Sequence, residues 1–239
     1  MNKHINTKIS DILKVEKRKS LEDEIDQFRK TISDQSSLER EIIKLFESSL
    51  VLHGKDKNQI RQISQISKIL GESLGLGVSY CHKLEQAACI YDIGNIMICS
   101  EIYKKEDKLS FEEFNVVKNH THIGYDILIA QNLLSTDMAA VISMEHHEWW
   151  DGGGYPRQIK AEQIDIAARI VALADTVGAL FTARPGRSAW SYEKILEYII
   201  KRSEIQFDPK IVKAFLINQE KIREVLHMDS DAIQTKEQK

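Results

Sequence analysis

Gln59-Ile60-Arg61-Gln62-Ile63-Ser64-Gln65-Ile66-Ser67-Lys68-Ile69-Leu70-Gly71-Glu72-Ser73-Leu74-Gly75 reads as one amphipathic helix. Ile60, Ile63, Ile66, Leu70 and Leu74 recur every three or four residues and so share a face. Gly75 closes it, because glycine accepts the positive φ at which a helix stops. The same spacing recurs along most of the chain, long alternating strand patterns are missing, and only 3 prolines interrupt 239 residues. The expected class is therefore all-α.

Working outward, Leu84 to Tyr91 reads as a helix closed near Gly94. Ser110 with Glu113 is a capping box, opening a helix expected to carry Phe114, Val117, His120 and Gly124 on neighbouring turns. Met138 to Trp149 and Ile166 to Phe181 read as two further helices. Asp208-Pro209 is the cap and first turn of a last one running through Phe215 and Ile222. At the other end, Ile5, Ile9, Ile12, Leu21, Ile25, Phe28, Ile32, Leu38, Ile42 and Leu45 form an apolar stripe in a highly charged segment. The expected layout is an N-terminal amphipathic helical extension over 1–50, a main domain over 51–228 and a disordered polar tail over 229–239. The stripe suits a dimerisation stalk or a helix packed on its own domain, and the spacing leaves both open.

A formal net charge of −3 gives no global attraction to nucleic acid polymers or anionic membranes. No apolar run approaches the roughly 20 residues of a membrane span, and residues 1–19 lack the hydrophobic segment of a signal peptide. Cys81, Cys89 and Cys99 make no CxxC pair and are odd in number, which fits reduced thiols. A soluble cytoplasmic protein is expected.

The chemistry concentrates in His146-His147-Glu148-Trp149-Trp150-Asp151-Gly152-Gly153-Gly154-Tyr155-Pro156. Vicinal histidines reach one metal centre only from a helix end or an irregular backbone, and the three glycines provide such an end. Tyr91-Asp92-Ile93-Gly94, His120-Thr121-His122-Ile123-Gly124 and Ala168-Arg169-Ile170-Val171-Ala172-Leu173-Ala174-Asp175 complete a set whose order along the chain resembles the HD-GYP domain family. That resemblance runs from about Gln59 to Phe215. It implies an HD-superfamily helical bundle, bacterial cyclic di-GMP hydrolysis, and a site for two or three metals, often iron or manganese.

Carried over residue by residue, the resemblance implies metal ligation by Asp92, His120, His146, His147 and Asp175, with Asp92 and Asp175 also catalytic. Two imidazoles of one metal site are replaced, by Gln59 and by Tyr91. An upstream acidic ligand of three-metal members falls near Lys55, the lysine after the HD motif is Asn95, and an aspartate behind the late ligand is Gly178. Four of these departures, at Gln59, Tyr91, Asn95 and Gly178, weaken a unit whose members act together. The expectation is impaired or absent catalysis in a nucleotide- or partner-binding domain, holding one divalent metal, iron or manganese, or none. The alternative is an active but unconventional metal-dependent phosphodiesterase. Without any metal, Asp92 and Asp175 are expected to face one another as like charges.

By the same resemblance Lys105, Arg184 and Arg187 meet substrate phosphates, which suits the bidentate geometry of arginine; alone, the arginine pair reads equally well as solvated charge. Gly154, Tyr155 and Pro156 form a loop linked in the family to GGDEF-type partner proteins. A homodimer through the N-terminal helix is a further partner expectation. His122 is expected at the surface or behind the ligands, His53 reads as an exposed loop residue with a replacement ligand as the alternative, and His4, His82 and His227 lack ligand company. Glu145 and Glu148 either orient imidazoles or pair with cations, the second being the safer reading.

Overall fold

A computed structural model describes residues 35–103, 105, 107–183 and 187–227. The chain divides into two compact units, residues 1–42 and 43–239, and the second carries everything below. The stripe from Ile5 to Ile32, the tail from 229 and Arg184 lie outside the described residues. The fold is all-helical: α1 Gln35–His53, α2 Lys57–Ser73, α3 Val78–Ala87, α4 Ser100–Tyr103, α5 Phe111–Lys118, α6 His120–Ile129, α7 Leu134–Glu145, α8 Ile166–Phe181, α9 Tyr192–Lys201, α10 Pro209–Ile217 and α11 Gln219–His227. An isolated bridge joins Ser203 and Phe207, and no run of strand occurs among the described residues. No described helix is long and apolar enough to cross a membrane.

Helix α2 forms as its stripe requires. Asp56 caps its start by accepting from the Asn58 amide, Ile60, Ile63, Ile66 and Leu70 are buried, and Gly75 turns the chain at φ +75°. Helix α8 matches its expected bounds and is the axis of the bundle, with Ala167, Ile170, Val171, Leu173, Ala174 and Val177 all fully buried. Its small residues let α2 approach closely: a Cβ on Gly178 would lie 3.1 Å from the Ile63 side chain and 3.5 Å from that of Gln59. Gly178 is thus a packing position between helices.

Four expected helix bounds need correction, each for a local reason. The helix of Leu84 ends at Ala87. Residues 88–92 turn instead, although Ala88, Ile90 and Tyr91 remain buried, and an apolar run buried on all sides carries no period by which helix and turn can be told apart. The helix begun by the Ser110–Glu113 capping box breaks at Asn119. There the His120 ring bonds the Val117 carbonyl at 2.7 Å and the Thr121 hydroxyl bonds that of Lys118 at 3.0 Å, in competition with the backbone. The expected Met138–Trp149 helix runs instead from Leu134 to Glu145. Thr136 tethers its start to Leu133, while His146 is already its C-cap. The last helix is divided at Asn218, whose amide donates to the Ala214 carbonyl and to the Ser73 hydroxyl.

Helix α6 meets the turn after Asp92 through backbone contact. A Cβ on Gly94 would stand 2.0 Å from the His120 carbonyl oxygen and 2.6 Å from the Gly124 nitrogen. Only hydrogen fits there, and this contact brings the Asp92 turn against His120.

Candidate metal centre

Four segments deliver the site. Asp92 follows the turn after α3, His120 opens α6, His146 and His147 follow α7, and Asp175 lies in the middle of α8. His120 and His146 are 2% and 4% exposed. His120 turns Nδ1 to the Val117 carbonyl, and His146 turns Nδ1 to the carbonyls of Ile142 and Ser143 at 2.9 and 3.0 Å. A carbonyl only accepts, so Nδ1 carries the hydrogen in both rings and each presents its Nε2 lone pair inward. The two Nε2 atoms stand 3.4 Å apart, with Asp92 Oδ1 at 3.5 Å from one and 3.9 Å from the other. Ligand atoms of His120, His146 and His147 all lie within 4.8 Å of one another.

That donor set fits a metal. Zinc bonds imidazole nitrogen at about 2.1 Å, so two nitrogens on one ion stand roughly 3 to 3.5 Å apart. Burial lowers the pKa of His146 against the opposing pull of Asp92. Burial also drives that of His147 well below the ordinary value, and the neighbouring imidazoles add to the effect. Neutral rings are ready ligands that need lose no proton. Facing lone pairs beside a carboxylate are relieved by a cation.

The opposite side of Asp92 differs. Burial would raise its pKa, yet the Lys55 ammonium, followed by His120 and His146, holds it well below the usual carboxylate range. Lys55 Nζ donates to Asp92 Oδ2 at 2.7 Å, with the two side chains 10% and 11% exposed. The Tyr91 hydroxyl donates to Asp175 Oδ1 at 2.7 Å. The like-charge conflict expected between the two aspartates is therefore relieved from within the chain, one by an ammonium and the other by a phenol. Gln59 is buried with its Nε2 unpartnered.

Around this centre the loop after α7 folds back. A Cβ on Gly154 would lie 2.3 Å from the Trp149 nitrogen and 2.4 Å from the His147 carbonyl oxygen, so only glycine permits the return. Tyr155 stacks on His147 with ring centroids 4.7 Å apart and meets the edge of Phe114, while Pro156 follows through a cis peptide bond. Burial, with Asp92 and Asp175 adding, raises the Tyr155 pKa, so its hydroxyl stays protonated. Glu148 accepts from the Arg157 and Gln158 amides, and Glu145 binds the Arg157 guanidinium and the Asp165 amide. Both thus brace the loop, Glu145 with a cation as expected. His122 is exposed. A cavity of about 240 Å³ adjoins the centre, walled by His146, His147, Trp149, Asp175, Tyr198 and Gln206.

Two of the cations expected at phosphates, Lys105 and Arg187, have partners within the chain, and Arg184 lies outside the described residues. Lys105 Nζ lies 2.8 and 2.7 Å from the two Glu113 oxygens. Arg187 donates to the carbonyls of Ala179 and Thr182 at the end of α8. The residue that sequence reasoning missed is Lys55, noted only as a lost acidic position. Its signal was faint: a lysine between a glycine turn and an Asp cap.

A model of the HD domain matches residues 39–211. The chain belongs to the HD domain family. Among its relatives, a cyclic di-GMP phosphodiesterase response regulator of Xanthomonas campestris, RpfG, is 35% identical over 173 residues, which is 72% of this chain and 46% of that protein. A cyclic di-GMP phosphodiesterase of Thermotoga maritima is 34% identical over 170 residues, 71% of this chain and 46% of its own length. The chain thus spans about half the length of these curated relatives. A crystal structure of a cyclic GMP-AMP specific phosphodiesterase of Vibrio cholerae superposes with a TM-score of 0.56 at 20% identity, covering 77% of this HD domain chain and 50% of the other. That likeness gives the fold, and the histidine cluster equips this HD domain to bind metal.

Proposed function

We propose that the domain is a metal-dependent phosphodiesterase acting on a cyclic dinucleotide, with cyclic di-GMP the first substrate to test. The convergence of three imidazoles and Asp92 beside an open cavity carries this reading, and the names of the relatives supply the substrate class. They favour an enzyme over a silenced binding domain.

Asp92, His120, His146 and His147 would hold one ion, iron or manganese by the family resemblance. When bound, such an ion supplies Lewis acidity and lowers the pKa of water to near neutrality. Asp175 walls the cavity and commits one oxygen to Tyr91, which leaves the other to take the proton of an attacking water. Tyr155 and Trp149 shield that proton transfer from bulk solvent. At about 240 Å³ the cavity falls below the roughly 300 Å³ that encloses a drug-sized ligand, so it admits the scissile phosphodiester while the bases remain outside. Lys105, Arg184 and Arg187 keep the proposed phosphate role, Lys105 by exchanging its exposed Glu113 contact for a phosphate. The Gly154–Pro156 loop lays Tyr155 against His147, and a GGDEF-type partner is proposed for its outer side only.

The test is cyclic di-GMP turnover by the full chain with Mn²⁺ or Fe²⁺ added anaerobically. Linear dinucleotide should form, and His147→Ala should abolish it along with metal binding. Tight metal binding without turnover of any cyclic dinucleotide would overturn the reading in favour of a sensor.

A further inference from the structure

We infer that the Lys55 ammonium fills the second cation position beside Asp92, so that this domain holds one metal ion and one built-in organic cation. This rests on the reading above only in that the imidazole side of Asp92 must take an ion. The placement of Lys55 is fixed from both flanks. Its amide donates to the Leu50 carbonyl at 3.0 Å, and the next residue, Asp56, is tied to the start of α2 through the Asn58 amide at 2.9 Å. Held between these anchors, the side chain runs inward until Nζ is 2.7 Å from Asp92 Oδ2 and nine-tenths of it is covered.

Asp92 then spans two cation positions. Oδ1 faces the Nε2 atoms of His120 and His146 at 3.5 and 3.9 Å, and Oδ2 faces the ammonium. The donors on the ammonium side cannot replace it with a metal. An ammonium has no lone pair to offer. The Tyr91 hydroxyl gives its hydrogen to Asp175 and its ring lies 5.9 Å from Nζ, so the phenol adds no negative charge there. A divalent ion entering there would meet a positive charge within contact distance in a poorly hydrated site, where like charges repel strongly. The ammonium compensates Asp92 whatever the metal supply, and leaves the imidazole side as the one place for an ion.

The experiment is a Mn²⁺ titration of metal-stripped full chain by calorimetry and elemental analysis, on wild type, Lys55→Gln, Lys55→Arg and His147→Ala. Wild type should bind one equivalent. Lys55→Gln, lacking a positive charge beside the shared carboxylate, should still bind one but at least about tenfold tighter, and its Tm should rise more steeply with Mn²⁺ than that of wild type. Lys55→Arg keeps the charge and should titrate like wild type. Two equivalents in wild type, or a Lys55→Gln affinity equal to that of wild type, would overturn the inference while the metal-site reading stands. If wild type binds no Mn²⁺, or His147→Ala binds as well as wild type, the metal-site reading itself fails. Should Lys55→Gln not fold even with Mn²⁺, the wild-type stoichiometry decides alone: one equivalent supports the inference and two defeat it.

Discussion

Asp92 carries a different load on each carboxylate oxygen, and its replacement separates the two. In Asp92→Asn the amide keeps the shape but leaves the Lys55 ammonium buried without its counter-charge, a loss of about 3 to 5 kcal/mol for a broken buried pair. Chemical denaturation of metal-free protein should show that loss, and Mn²⁺ should restore little of it because the same oxygen pair serves the ion. The imidazoles set the pH response of the metal-free protein. His146 and His147 have pKa values held below the ordinary imidazole value of 6.5 by burial, so as pH falls through that value the unfolded chain takes up protons that the folded one refuses. The unfolded state then binds more protons, and stability must rise with pH across that window. Tm of chelated protein should fall as pH is lowered from about 7.5 to 5, with Asp92 contributing only below the ordinary carboxylate value of 3.8, where its own depressed pKa comes into play. A flat profile from pH 7.5 to 5 would mean that the rings take up protons in the fold as readily as in the unfolded chain. At this scale the histidine cluster was legible in the sequence, since adjacent histidines are rarely asked for by packing. It did not show what neutralises the aspartates, because a lone lysine in a polar turn looks like any solvated charge.

Helices place these groups through a few close backbone approaches rather than through the ligands themselves. Gly94 touches the His120 carbonyl and the Gly124 nitrogen, and Gly124 in turn leaves a Cβ only 2.2 Å from the Ser143 hydroxyl. Gly94→Ala should therefore push the Asp92 turn away from α6, costing about 1 to 3 kcal/mol by overpacking and most of the metal affinity, without altering any ligand. Ile63→Ala offers the contrast. It empties a fully buried position in α2 that faces α8 and should cost about 2 to 5 kcal/mol, yet leave the metal stoichiometry of the folded protein unchanged. Equal metal loss in both variants, measured on folded protein, would remove the special role of the glycine contact. Helix α2 was legible for the same reason that it is stable, since it buries one continuous face, whereas α8, buried on nearly all sides, was legible from its length and its run of Ala and Val. The ends at Ala87, Asn119, Glu145 and Asn218 were not, because tertiary contact and side-chain hydrogen bonds stop the helix where local pattern would continue it.

On the scale of the whole domain, the site exists because four segments separated by up to 83 residues, from Asp92 to Asp175, are folded onto one centre. No spacing rule within a single helix could have announced that; order along the chain and resemblance to a family did. The same whole-domain view decides what a repair of the altered ligands should achieve. Gln59→His with Tyr91→His returns two imidazoles to the side of Asp92 that lacks them, and ligand loss alone would then predict a second metal. The structure predicts otherwise, since Lys55 still holds Oδ2 at 2.7 Å and Tyr91→His also strips Asp175 of its phenol donor. The double variant should stay near one Mn²⁺ per chain by elemental analysis and lose stability when chelated. Adding Lys55→Ala removes the resident ammonium, and only that triple variant should approach two. A double variant that already binds two would place the block in the missing imidazoles and not in the lysine.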